Sequence, residues 1–142
     1  MPFTTQLRYE HELLIGMSEA LGAGTRCDAP PPDLPRLLTL LSQFTQLLRV
    51  HLLREDSVLY PALEASADRV TAALAARMRE EHGALDRHVA AFDQTWSSDE
   101  IRRRWRDFSA DVADFLDIVR LRIDRENDEL YPLLDPLEDV AA

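Results

Sequence analysis

The chain has no lysine; all 16 of its basic residues are arginine, a compositional trait that carries no functional reading. Its single cysteine, Cys27, excludes an intramolecular disulfide and a thiolate cage for a metal. Only four glycines are present, and β-branched alternation is absent, so no segment reads as a strand. No apolar run approaches the roughly 20 residues that a membrane span requires. The N-terminal "MPFTTQLRYEHELL" lacks the basic start and continuous apolar segment of a signal peptide. A cytoplasmic protein is therefore expected. Acidic residues number 26, for a net charge of −10 and a pI of about 4.7. Such a surface repels phosphate backbones and anionic lipid, so neither nucleic acid nor a membrane is an expected partner.

What is present is helical pattern. A chain of 142 residues suits a single domain, 1–142, with one core. The stretch "GAGTRCDAPPPD" at 22–33 is the clearest break, with Asp33 placed to cap the next helix and Pro35 in its first turn. "EASAD" at 64–68 and "SSDE" at 97–100 mark two further joints. The expected helices are 3–22, 34–64, 68–96 and 99–133. Pro61 and Pro132 should kink or end the second and fourth.

Spacing shows how these helices meet. Leu37, Leu41, Phe44, Leu48, His51 and Glu55 follow alternating steps of four and three, as do Phe108, Val112, Phe115, Val119, Arg122 and Glu126. Each residue of the second set lies 71 positions after its counterpart. Leu7, His11, Leu14 and Leu21 map at the same offset onto Met78, His82, Leu85 and Phe92, and Glu10 maps onto Glu81. These are the inward stripes of a bundle. The expected fold is all-α, an antiparallel up-down-up-down four-helix bundle with internal two-fold pseudo-symmetry. No second apolar stripe marks a contact face, so the sequence assigns no oligomeric state.

Several residues on these stripes are polar: His11, His51, Glu55, His82, Arg122 and Glu126. His51 and Glu55 are four apart and so share one helical face. Imidazole nitrogens and carboxylates gathered from four helices suit first-row metals, especially iron or manganese. Carboxylates buried without a cation would cost several kcal/mol or stay protonated. Charge pairing is the competing account, with Arg122 neutralising Glu55 or Glu126 in a metal-poor bundle of structural or partner-binding role.

The pattern resembles the hemerythrin-like family, the HHE cation-binding domain, over nearly the whole chain. "YEHELL" is similar to its first-helix histidine segment and "HLLREDSVLYP" to its H-x-x-x-E…YP signature. "REEHGAL" matches the third-helix E-H segment and "RENDELYP" the second E…YP signature. The resemblance implies a bundle holding two iron ions, oxo- or hydroxo-bridged, with manganese or a single metal as variants. It also implies dioxygen, peroxide or nitric oxide as the small partner. Carried over, the histidine ligands are His11, His51 and His82, and the bridging carboxylates are Glu55 and Glu126.

The family pattern expects one more histidine where this chain has Arg122, and guanidinium offers no lone pair to a metal. Three arrangements stay open. Asp86, one turn after His82, fills the gap as an oxygen ligand, unless it is a surface residue paired with Arg79 or Arg87. Alternatively the second ion is left short of ligands, with water or substrate in the open position. Or metal is held well only on the His11–His51 side. As a catalytic candidate, Arg122 would orient an anionic substrate beside an opened position, making the protein an oxygenase or oxidase for a small molecule. Otherwise it turns outward or pairs with a bridging glutamate. His88 falls off the stripe and reads as surface. Trp96 and Trp105 read as packing, Tyr60 and Tyr131 as packing or hydrogen bonding near the bundle end, and "RRRWR" at 102–106 as a solvated face.

Overall fold

The computed structural model describes residues 3–141, with side chains through 136. Its elements are α1 (Phe3–Thr25), α2 (Leu34–Arg54), a π segment π1 (Glu55–Leu59), α3 (Tyr60–Glu64), α4 (Arg69–Thr95), α5 (Ser98–Arg103), α6 (Trp105–Arg125), a second π segment π2 (Glu126–Leu130) and α7 (Tyr131–Ala141). No strand occurs among the described residues. Among the described residues no helix is long and apolar enough to cross a membrane.

The starts follow the expected chemistry. The Asp33 carboxylate accepts from the Arg36 N–H at the head of α2. Asp68 accepts from the Val70 N–H and the Thr71 hydroxyl, and Ser97 caps α5 through the Glu100 N–H. Each cap satisfies donors that the first helical turn leaves open.

Boundaries depart from expectation at three places: α1 runs on to Thr25, α5 is separated from α6, and the last helix passes 133. The fourth helix does not begin at 99 and run on. Arg104 leaves helical geometry at φ −125°, ψ 50°, separating α5 from α6. Tertiary contacts flank that break: the Arg104 guanidinium lies over the Trp96 ring, and the Trp105 indole N–H donates to the Cys27 carbonyl. At Pro61 and Pro132, where a kink or an end is expected, a π segment precedes each proline, and the second helical stretch ends at Glu64 as expected. In these wider turns the N–H of Tyr60 bonds to the Glu55 carbonyl, and that of Tyr131 to the Glu126 carbonyl, five residues back. A ring closed over five residues accommodates a following proline that a regular turn would resist. The last helix accordingly runs past 133 to Ala141.

The stripes predicted from spacing face inward. Leu37, Phe44, Leu48, Phe108, Val112, Phe115 and Val119 are buried, as are Leu7, Leu14, Leu21, Met78, Leu85 and Phe92. They separate into two apolar clusters, one built around Leu14, Phe44, Phe92, Phe108 and Phe115, the other around Leu7, Leu59, Leu63, Met78 and Leu130. Along each long helical stretch the buried polar residues fall between members of the two clusters. His11 lies between Leu7 and Leu14, His51 and Glu55 between Leu48 and Leu59, and His82 between Met78 and Leu85. Arg122 and Glu126 lie between Val119 and Leu130. A polar layer is thus walled above and below by hydrocarbon.

Phe115 anchors the larger cluster, with its ring stacked on Phe92 at 4.8 Å between centroids and set edgewise to Phe44 at 6.0 Å. Truncating a buried phenylalanine removes its transfer energy and leaves a cavity. Phe115→Ala should therefore lower unfolding free energy by about 3–5 kcal/mol in denaturant titration, whereas Val70→Ala on the exposed face of α4 should change it by less than about 0.5 kcal/mol.

Candidate metal centre

Four helical stretches deliver the polar layer. α1 brings His11 and Glu10, α2 brings His51, and the first residue of π1 is Glu55. α4 brings His82 and Glu81, α6 brings Arg122, and the first residue of π2 is Glu126. His11, His51, Glu55 and Glu126 are all 1% exposed or less. Their donor atoms lie within 4.8 Å of one another.

The orientation of the two imidazoles is set from behind. His11 donates from Nδ1 to the Asn127 side-chain oxygen at 2.8 Å, and His51 donates from Nδ1 to Glu10 Oε1 at 3.0 Å. Glu10 is itself held by an ion pair with Arg54. With hydrogen on both Nδ1 atoms, both Nε2 atoms carry lone pairs. These two Nε2 atoms lie only 3.0 Å apart, and Glu126 Oε1 is 2.9 Å from that of His11. Three acceptors at that range cannot satisfy one another. They fit a cation among them, and two imidazoles with two carboxylates are a donor set for a first-row metal.

Glu55 faces the same point: its Oε2 is 3.5 Å from His51 Nε2 and accepts from the Tyr131 hydroxyl at 2.7 Å. The Tyr131 oxygen is also 3.0 Å from His11 Nε2. Burial raises the Tyr131 pKa above that of a free phenol, so the group stays a neutral donor.

The other side of the layer is built differently. The His82 Nε2–H donates to the Leu52 carbonyl at 3.1 Å, turning Nδ1 toward Glu55 Oε1 at 3.6 Å. Among the described residues neither of these two atoms has a hydrogen-bond partner, nor do Arg122 Nε and Glu126 Oε2. Arg122 points inward, not to solvent. Its Nε lies 3.4 Å from Glu126 Oε2, Nη1 donates to Glu81 at 3.4 Å, and Nη2 donates to the Met78 carbonyl at 2.7 Å and to the Tyr60 hydroxyl.

Of the residues singled out from sequence, His11, His51, Glu55 and Glu126 come together, and His82 and Arg122 border them. Asp86 does not join: it is exposed and lines a surface groove with Arg87 and Arg49. One turn beyond His82 on a helix does not suffice, because the 3.6-residue period carries position 86 out of the stripe that holds 78, 82, 85 and 89. His88 is half-buried rather than fully exposed, with its ring stacked on Phe115. Trp96 and Trp105 pack in the larger cluster. Asn127 and Arg54 were not assigned roles from sequence, whereas Tyr131 reads there as packing or hydrogen bonding near the bundle end. Tyr131 had a signal in the repeated "LYP", but Asn127 had none, since the equivalent position holds Asp56.

The fold and site thus define a helical protein with a buried histidine–carboxylate cluster suited to a metal. The Hemerythrin HHE cation binding domain matches residues 3–134, and the chain belongs to that family. No curated protein and no solved structure matches it.

Without metal, protons must do the compensating. Burial pulls the His51 pKa down, but hydrogen bonds and charge from Glu126 and Glu55 outweigh it and raise the pKa to about 9. Burial and the neighbouring charge of Glu126 push Glu55 up to about 8. Glu126 is also buried, yet hydrogen bonds from His11 and His51 hold it well below the ordinary carboxylate value. Both raised groups keep protons in the folded state that the unfolded chain releases earlier. Their stabilisation is complete below the unfolded values, 6.5 and 4.5, and disappears as pH rises through about 9 and 8. The chelator-stripped protein should therefore melt at progressively lower temperature between pH 6 and pH 9. The metal-loaded protein should hold its melting temperature over that range, because metal replaces the protons. Parallel thermal scans check this, and identical pH slopes for the two forms would contradict it.

Proposed function

We propose that this chain is a non-haem iron protein of hemerythrin type that binds or reacts with dioxygen or a related small oxidant such as peroxide or nitric oxide. The observation that carries this reading is the pair of imidazole Nε2 atoms facing each other at 3.0 Å beside two carboxylates, in a layer sealed by apolar clusters. His11, His51, Glu55 and Glu126 would hold the iron, which supplies reversible one-electron chemistry and free coordination positions. A second iron, the count that the family resemblance implies, would draw on His82 and the remaining oxygens of Glu55 and Glu126.

The protein's own groups define the surroundings. Asn127 and Glu10 fix the tautomers of His11 and His51. Tyr131 holds Glu55 in place through its one hydroxyl hydrogen, and its oxygen, close to both Nε2 atoms, borders the position a small ligand would take. Leu7, Leu14, Leu59 and Leu130 keep bulk water away. Successive long helices cross the two apolar clusters in alternating order, and π segments and YP pairs recur 71 residues apart. Both support an up-down-up-down four-helix bundle of two related halves, in a single domain over 1–142. We take the protein to be cytoplasmic, with small molecules rather than nucleic acid or membrane as partners.

A second reading, oxidation of a small organic substrate, is favoured by one feature. A cleft of about 270 Å³ between α4 and α6, lined by Ala84, Leu85, His88, Ile118 and Leu121, reaches Arg122. The arginine would there orient an anionic group.

The test is direct. Iron-loaded protein is exposed in turn to dioxygen, peroxide and nitric oxide while its absorption spectrum is followed. The wild type should respond to at least one, and His51→Ala and Glu55→Ala should bind little iron and respond to none. Wild-type iron retention in either variant would overturn the assignment. Turnover of a substrate that Arg122→His abolishes would favour the second reading.

A further inference from the structure

Comparing the two halves of the polar layer residue by residue shows what Arg122 has replaced. On one side Glu10 holds both His51 and Arg54, and the Tyr131 hydroxyl lies 3.4 Å from His51 Nε2. At the equivalent positions, each 71 residues away, Glu81 holds both Arg122 and Arg125, and the Tyr60 hydroxyl accepts from Arg122 Nη2. The same frame of glutamate, arginine and tyrosine is thus present twice. Where the first copy frames a lone-pair donor, the second frames a cation.

That cation is fixed. Arg122 is 7% exposed, and its guanidinium is tied to Tyr60, to the Met78 carbonyl, to Glu81 and, through the charge of Nε, to Glu126 Oε2. A guanidinium keeps its charge and cannot ligate. It therefore satisfies the electrostatic demand of the buried carboxylates on this side while adding a positive charge next to the place that a second ion would take. The donors there do not close into a cage either. Among the described residues, only His11, His51, Glu55 and Glu126 converge as a group of three or more. His82 Nδ1 lies 3.6 Å from Glu55 Oε1, beyond hydrogen-bond range, and no group of three ligand atoms forms around the pair among the described residues.

We propose that the Arg122 guanidinium serves as a built-in substitute for the second metal ion, so that the centre binds one metal, on the His11–His51 side. This rests on the metal-site reading above but sets its ion count. In this account His82 is a neighbour of the site and not a ligand.

The test is iron stoichiometry. Wild type, Arg122→His and His82→Ala are each loaded anaerobically with ferrous iron, desalted and assayed for iron per chain. The oxidised samples are then examined by electron paramagnetic resonance, where an isolated high-spin ferric ion is visible and a coupled ferric pair is silent. Wild type should hold one iron with the isolated-ion signal. Arg122→His should hold two and lose most of that signal. His82→Ala should keep one, which tests the claim even if Arg122→His fails to fold. Two irons per wild-type chain, a folded Arg122→His that stays at one, or loss of iron from His82→Ala would each overturn the proposal. A wild type that takes up no iron would overturn the metal-site reading itself, and this inference with it.

Discussion

Two glutamates, Glu55 and Glu126, lie side by side in the middle of an apolar bundle, and everything around them answers that constraint. Placing a carboxylate away from water costs several kcal/mol even after relaxation. Positive charge has to come to them. On one side it comes from whatever sits between the imidazole nitrogens of His11 and His51, whether proton or metal. On the other it comes from a permanent guanidinium.

The backbone serves the same constraint. Both glutamates open a π segment, and a π turn shifts the helical register by about one residue. The glutamates and the tyrosines five residues later are therefore all buried, together with the intervening Leu59 and Leu130. Tyr131 reaches Glu55 across the bundle, and Tyr60 reaches Arg122. A regular helix would rotate the tyrosines away from the stripe that carries the glutamates.

Most of the fold was legible because apolar spacing records which face of a helix is buried, and the 71-residue repeat let each half check the other. Asp33, Asp68 and Ser97 mark their helix starts by local chemistry alone. The π segments were not legible. A proline after tyrosine reads as a kink or a helix end, and only the backbone shows that a widened turn precedes it. The break at Arg104 escaped for a related reason: steps of four from Ile101 to Trp105 suit a continuous helix, and contacts with Trp96 and Cys27 accompany the interruption. In the site, four residues of the stripes, His11, His51, Glu55 and Glu126, lie together in the structure. Asp86, one position off its stripe, faces solvent, and Asn127 could be assigned only from its distance to His11. Arg122 was conspicuous in sequence, but whether it turned in or out depended on Tyr60, Met78 and Glu81, which lie 41 to 62 residues away in the chain.

The central claim is that His11 and His51 present their Nε2 atoms to a metal alongside Glu55 and Glu126. X-ray absorption at the iron edge of loaded protein tests it most directly. The account predicts a first shell of mixed nitrogen and oxygen with outer-shell scattering from two imidazoles, which falls to one in His51→Ala if that variant retains any metal. An all-oxygen shell with no imidazole scattering would place the iron elsewhere and contradict the account.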